Sequence, residues 1–134
     1  MFTQYEQYNH SGHFFLNEGE SIQEVAENVP EEPGFFYIVR LAKGRPEVVF
    51  VGSAGTVKKN GQVYSPFLRE AICIFLNDKF VKQKFSRESI DALDIYWAVT
   101  IDDTAVDIPA YASASILQSH FDVFGELPPW NKQL

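Results

Sequence analysis

Apolar positions change their spacing three times along this chain. Between Gly34 and Gly52 they form two short blocks, FFYIVRL and EVVFV, separated by a turn around Gly44 and Pro46. β-Branched and aromatic residues fit a pleated, half-buried surface, so the two blocks predict a hairpin. A pairing that sets Phe36 opposite Gly52 also sets Ile38 opposite Phe50. The two-residue period then places Phe36, Ile38, Phe50 and Gly52 on one face, where the glycine leaves room for something to approach. A polar loop, SAGTVKKNGQVYS, follows with a turn signal at Asn60-Gly61. Then the spacing lengthens. Leu68, Ala71, Ile72, Phe75, Leu76 and Phe80 recur at helical intervals behind Pro66 and predict one helix near 67–83. Alternation returns in DIYWAVT, a strand over 94–100. A wide apolar side from Ile108 to Phe124 predicts a last helix near 108–124, with Asp107 as cap, Pro109 in the first turn and Gly125 just past the end.

Upstream of the hairpin the pattern is weaker. Residues 1–20 are polar and aromatic with breaks at Gly12 and Gly19, which reads as an irregular arm or a short strand. Ser21 and Glu24 make a capping box for a short helix from about Ile22 to Asn28, stopped by Pro30. The expected organisation is an arm and short helix over 1–32 and one domain over 33–134. The expected fold class is α/β of the α+β type: strands 35–41, 47–52 and 94–100 in one antiparallel sheet, flanked by helices.

Composition narrows the picture a little. At 134 residues the chain fits one domain with a real core. It has no apolar run of membrane-spanning length and its first residues, MFTQYEQYNHSG, lack the pattern of a signal peptide, so a cytoplasmic location and no membrane partner are expected. One cysteine, Cys73, rules out an internal disulfide and reads as core. The net charge of −7 is unevenly spread. Residues 40–87 hold ten Lys or Arg against Glu47, Glu70 and Asp78, whereas residues 1–39 hold seven Glu and no Lys or Arg. A basic centre between acidic flanks is either a phosphate-facing surface or a set of solvated faces with internal ion pairs.

The triplets Gly34-Phe35-Phe36 and Phe50-Val51-Gly52, the loop VGSAGTVKKNG, Arg69 early in the next helix and the ending LQSHF…GELPPWN together resemble the GIY-YIG nuclease superfamily, and the loop and LPPWN ending resemble a bacterial branch of it. The resemblance covers about residues 33–131 and implies a three-stranded antiparallel sheet between helices. It also implies two tyrosines that activate and position water, an arginine that steadies phosphate, a glutamate that holds a divalent metal and a late asparagine. Here Phe36 and Phe50 occupy the tyrosine positions, Arg69 the arginine position, Ser113 the glutamate position and Asn131 the asparagine position. No Asp or Glu occurs between Ile108 and Phe121. Phenylalanine cannot move a proton, and Mg²⁺ wants oxygen ligands that include carboxylate.

The expectation is therefore a nuclease-like domain with a degenerate active site that does not hydrolyse. It would keep a nucleic-acid-binding or protein-interaction role and need no cofactor. Arg69 is the one family catalytic residue retained, and Lys58, Lys59, Arg69 and Asn131 are the candidate nucleic-acid contacts, with Phe36, Phe50, Arg69 and Ser113 expected around one cleft. One alternative is a divergent Mg²⁺-dependent endonuclease that uses Arg69 with Glu70 as ligand or His120 as base. Another is a structural or dimerisation module that uses Phe2, Tyr5 and Tyr8 of the arm.

Overall fold

The computed structural model describes residues 2–133. After a 3-10 turn at Thr3–Gln7 come β1 (Ser11–Leu16), α1 (Ile22–Val25), β2 (Gly34–Ala42), β3 (Arg45–Ala54), β4 (Thr56–Val57) and β5 (Val63–Tyr64). α2 (Leu68–Asn77), α3 (Lys79–Arg87), β6 (Ala92–Val99) and α4 (Pro109–Phe124) complete the chain. β1, β6, β2 and β3 lie side by side in that order, each pair antiparallel, and β4–β5 is a separate small hairpin.

The fold is α+β, with four strands in the main sheet where the sequence predicts three. The extra strand, SGHFFL, comes from the segment read as an irregular arm or a short strand. Gly12 weakens its β signal, and the reason lies across the sheet: a Cβ there would sit 2.8 Å from Cζ2 of Trp97. Residues 2–32 are also part of both cores. Leu16, Ile22, Ala26 and Val29 join one, and Phe2 and Tyr8 join the other. The aromatics expected to be exposed for dimerisation are thus spent on packing, since Phe2 and Tyr8 are buried.

The hairpin register is as expected: Phe36 faces Gly52 and Ile38 faces Phe50. A bulge then shifts the pairing between Ile38 and Val39. The extra residue lets Val49 and Phe50 both reach the same core. Gly34 is required where β2 crosses β6, because any Cβ would collide with the Ala98 carbonyl. The single helix expected over 67–83 is two. Asp78 breaks it with an extended backbone (ψ 140°), and its carboxylate accepts from the Phe80 N–H at 2.8 Å to start α3. At α4, Pro109 and Gly125 (φ 73°) mark the ends as expected. Asp107 does not cap it, because its carboxylate accepts from the Tyr8 hydroxyl at 2.8 Å.

The sheet is covered on both faces. One face sets Phe36, Ile38, Ile95 and Trp97 against Leu68, Ile72 and Leu76 of α2 and Val81 and Phe85 of α3. The other sets Phe35, Tyr37, Val39, Val51 and Ala98 against Ala112, Ile116 and Leu117 of α4. Among the described residues no helix is long and apolar enough to cross a membrane.

Candidate functional site

Strand alternation aims Phe36 and Phe50 at the α2 side of the sheet. There they meet Phe75. The Phe50 and Phe75 rings stack at 3.9 Å, and Phe36 lies 5.9 Å from Phe50 and 6.3 Å from Phe75, centroid to centroid. The room expected above Gly52 is filled by these rings: a Cβ would come 2.8 Å from Phe36 and 2.9 Å from Phe50. The cluster is carbon throughout and holds nothing that could carry a proton.

Ser113 does not join it. The i, i+3, i+4 face of α4 that holds Ser113, Ile116, Leu117 and His120 packs on the opposite side of the sheet. The Ser113 hydroxyl donates to the Ala110 carbonyl of its own helix at 3.1 Å. Arg69 lies beside the buried stripe of α2, exposed, and its Nε–H donates to the Val29 carbonyl at 2.8 Å. The four residues expected around one cleft are therefore divided by the sheet, and the arginine holds the end of the α1 segment against α2.

The relocated groups of the endonuclease alternative are also engaged elsewhere. His120 is buried, donates Nδ1–H to the Glu126 carbonyl at 3.0 Å and lies against the Phe124 ring at 4.5 Å. Glu70 is exposed, and its own N–H donates to the Glu31 carboxylate at 2.9 Å, which helps cap α2. Among the described residues no three His, Cys, Asp or Glu side chains are grouped to hold a metal ion. Cys73 lies half-buried beside Arg69. Burial pushes its thiol up, with Glu31 adding to this and Arg69 opposing it, so the reactive thiolate is disfavoured.

Asn131, a candidate nucleic-acid contact, is committed to the sheet. Its Oδ1 accepts from the Val51 N–H and its Nδ2 donates to the Val51 carbonyl, both at 2.9 Å. The Trp130 N–H adds a bond to the Val49 carbonyl at 2.8 Å. The amide side chain reproduces a backbone peptide group and covers the outer edge of β3.

The basic residues fall in separate groups, the largest on α3, which carries Lys79, Lys82, Lys84 and Arg87, with Lys84 and Lys132 both over the Phe80 ring at 5.0 and 5.6 Å. Lys58 and Lys59 sit at the tip of the β4–β5 hairpin, with Lys58 Nζ 5.7 Å from the Tyr64 ring. Lys43 and Arg45 lie at the other end of β3, about 30 Å of strand away. Arg40 pairs with Glu47 and Glu88, and Lys84 pairs with Glu88 at 3.0 Å. A cleft of about 790 Å³ opens between His120, Val123 and Phe124 of α4 and the β2–β3 turn at Lys43, Arg45 and Pro46. Phe36, Phe50, Arg69 and Ser113 do not line it.

One constellation escaped the sequence. His13, Tyr96 and Tyr37 face one another across β1, β6 and β2. Their rings stack in a row, His13 on Tyr96 at 4.8 Å and 7°, Tyr96 on Tyr37 at 4.8 Å and 6°. Tyr5 meets both tyrosines edge-on. The buried Asp94 carboxylate accepts from His13 Nδ1–H at 2.7 Å and holds the imidazole in this row. Burial raises the Tyr37 hydroxyl, and Tyr96, Tyr5 and Asp94 add to it. The alternation in SGHFFL was the available signal, but pairing β1 with a strand about 80 residues later is not legible from spacing.

Comparison with models of protein families, with curated proteins and with solved structures finds no match for this chain.

Proposed function

We propose that this chain is a non-hydrolysing binding domain on a GIY-YIG-type scaffold and that its partner is a protein. The observation that carries this reading is the Phe36–Phe50–Phe75 cluster, which puts carbon where the resemblance implies two water-handling hydroxyls. Hydrolysis of a phosphodiester needs a proton acceptor and a centre of positive charge near the reacting oxygens. Ser113 lies across the sheet from the cluster, and Arg69 is bonded to a backbone carbonyl. The order of hairpin, helices, strand and final helix supports the scaffold assignment.

A protein partner is favoured over nucleic acid by the scatter of the cations. Affinity for a phosphate backbone grows with the number of phosphates neutralised together. Here Lys58 and Lys59 lie at one end of β3 and Lys43 and Arg45 at the other, Arg40 and Lys84 are paired with carboxylates, and Lys79, Lys82 and Arg87 form a third group on the short helix α3.

The test is a cleavage assay on single- and double-stranded DNA and RNA with Mg²⁺ or Mn²⁺, beside a salt series in a binding assay. We expect no cleavage and no salt-steep binding. Metal-dependent cleavage lost on Arg69→Ala would return the endonuclease reading. Saturable duplex binding lost on Lys58→Glu with Lys59→Glu would return the nucleic-acid reading.

A further inference from the structure

The two edges of the main sheet are treated differently. On the middle of β3 outward backbone groups are taken: Val51 by the Asn131 amide and the Val49 carbonyl by Trp130. On β1 they are not. The Val99 N–H donates to the His10 carbonyl at 2.9 Å, and His10 is the residue opposite Val99 when the ladder is extended by one. In an antiparallel ladder the bonded pairs alternate, so Gly12, Phe14 and Leu16 bond to β6 and Ser11, His13 and Phe15 turn their N–H and C=O groups outward. Among the described residues no backbone group bonds to these three. β1 also lacks the usual defences of an edge: it has no Lys, no Pro and no bulge.

The side chains on this edge are set for a neighbour. His13 ends the row of stacked rings, with one face on Tyr96 and the other beyond the last strand. Asp94 fixes its orientation, and its side chain is 45% exposed. Phe15, two residues on and on the same face, is 49% exposed and meets His13 edge-on at 5.6 Å. An added strand would place a side chain against the open face of His13 at the ordinary strand spacing.

We infer that the outer edge of β1 takes up an extended, cation-bearing peptide segment of a partner protein by strand addition. This deepens the protein-binding reading above and rests on it. The sign of the partner follows from the surroundings. Residues 1–39 hold seven Glu and no Lys or Arg. Glu18 and Glu20 stand in the turn that ends β1, where Glu20 accepts from the Asn17 N–H and side chain, and Glu32 lies 3.3 Å from His10 at the strand's other end. Lys or Arg flanking the incoming strand would meet these carboxylates, and an Arg plane or aromatic ring suits the open imidazole face. Antiparallel pairing with a second copy of this chain would bring Glu18 and Glu20 of one copy toward Glu32 of the other, so like charges oppose β1-to-β1 pairing.

The experiment uses the full chain and three synthetic peptides: alternating threonine and valine around a central tyrosine with lysines at both ends, the same peptide with glutamates at the ends, and the lysine peptide N-methylated at alternate backbone amides. Fluorescence anisotropy measures binding and amide hydrogen exchange locates it. The lysine peptide should bind with an affinity that falls as salt rises, and should slow exchange at Ser11, His13 and Phe15. Methylating the face that bonds to β1, or Phe15→Pro in the protein, should weaken binding about tenfold or more. The methylated peptide leaves the protein untouched, so a misfolded variant cannot mimic the result. Equal binding of the glutamate peptide, unslowed exchange along β1, or indifference to methylation each overturns the inference. A dimer in sedimentation that Phe15→Pro dissociates assigns the edge to a second copy and overturns it too. Nuclease activity in the earlier assay would sink the non-hydrolysing reading without altering the peptide result, so the two failures are distinguishable.

Discussion

At the scale of one residue, the proposed function rests most on Phe36. It is 3% exposed and surrounded by rings, so a hydroxyl added there would lose water and find no partner. Phe36→Tyr should therefore lower unfolding stability by about 1–3 kcal/mol, read from denaturant midpoints, and should create no cleavage activity. A variant as stable as the parent, or one that cuts DNA, would show that the cluster has room for a proton carrier. The residues of this cluster were legible in part. The period-two pattern placed Phe36 and Phe50 on one face, and it also gave the register, because those inferences use only local alternation. Which helix covers that face depends on the path of the chain between distant elements. Spacing alone could not show that α2 covers it and α4 covers the other.

The elements differ in how plainly the sequence announced them. α4 was predicted nearly to the residue because Pro109 and Gly125 punctuate a long periodic stretch. The division of α2 from α3 was hidden because the apolar stripe continues past Asp78 and outweighs the cap preference of that residue. β1 was legible only as one of two readings, an arm or a short strand, because Gly12 and the polar residues around it dilute the alternation. Asn131, after α4, was expected to contact nucleic acid and is part of a latch on β3 instead. Asn131→Ala would strip both bonds from Val51, so stability should fall by about 1–3 kcal/mol. Amide exchange at Val51 should rise while exchange in β6 changes little. An unchanged midpoint with Val51 still protected would mean that the Trp130 bond alone covers this edge.

For the molecule as a whole, pH sets limits on both sides. Burial raises the Tyr37 hydroxyl well above its ordinary value near 10, and burial with the Asp107 bond does the same for Tyr8. A folded value above the unfolded one favours the neutral form. That stability is complete below pH 10 and is lost as pH climbs past it toward the folded values. Glu88 works in the opposite direction. Burial pushes its carboxyl up, but Lys84 and Arg40 outweigh burial and hold it below its ordinary 4.5. Its contribution is present above that value and is lost as pH falls through the folded one. Denaturant midpoints should thus be level from about pH 6 to about pH 9 and fall on either side. Glu88→Gln should lessen the slope of the acid limb, and Tyr37→Phe with Tyr8→Phe that of the alkaline limb. A limb that keeps its slope in its own variant would show that another group carries it.

β6 lies between β1 and β2 in the sheet yet is made after both and after β3. During synthesis the central strand is therefore the last to arrive. From the completion of Ala54 to that of Val99 a ribosome needs roughly 2–9 s at ordinary elongation rates. Throughout that interval β1 and β2 each present a line of unpaired amides that only β6 will fill, and the latch at Trp130 and Asn131 closes later still. The newborn chain is thus most open to mispairing with neighbours on the same messenger, and the arrival of one eight-residue strand ends that exposure on two edges at once.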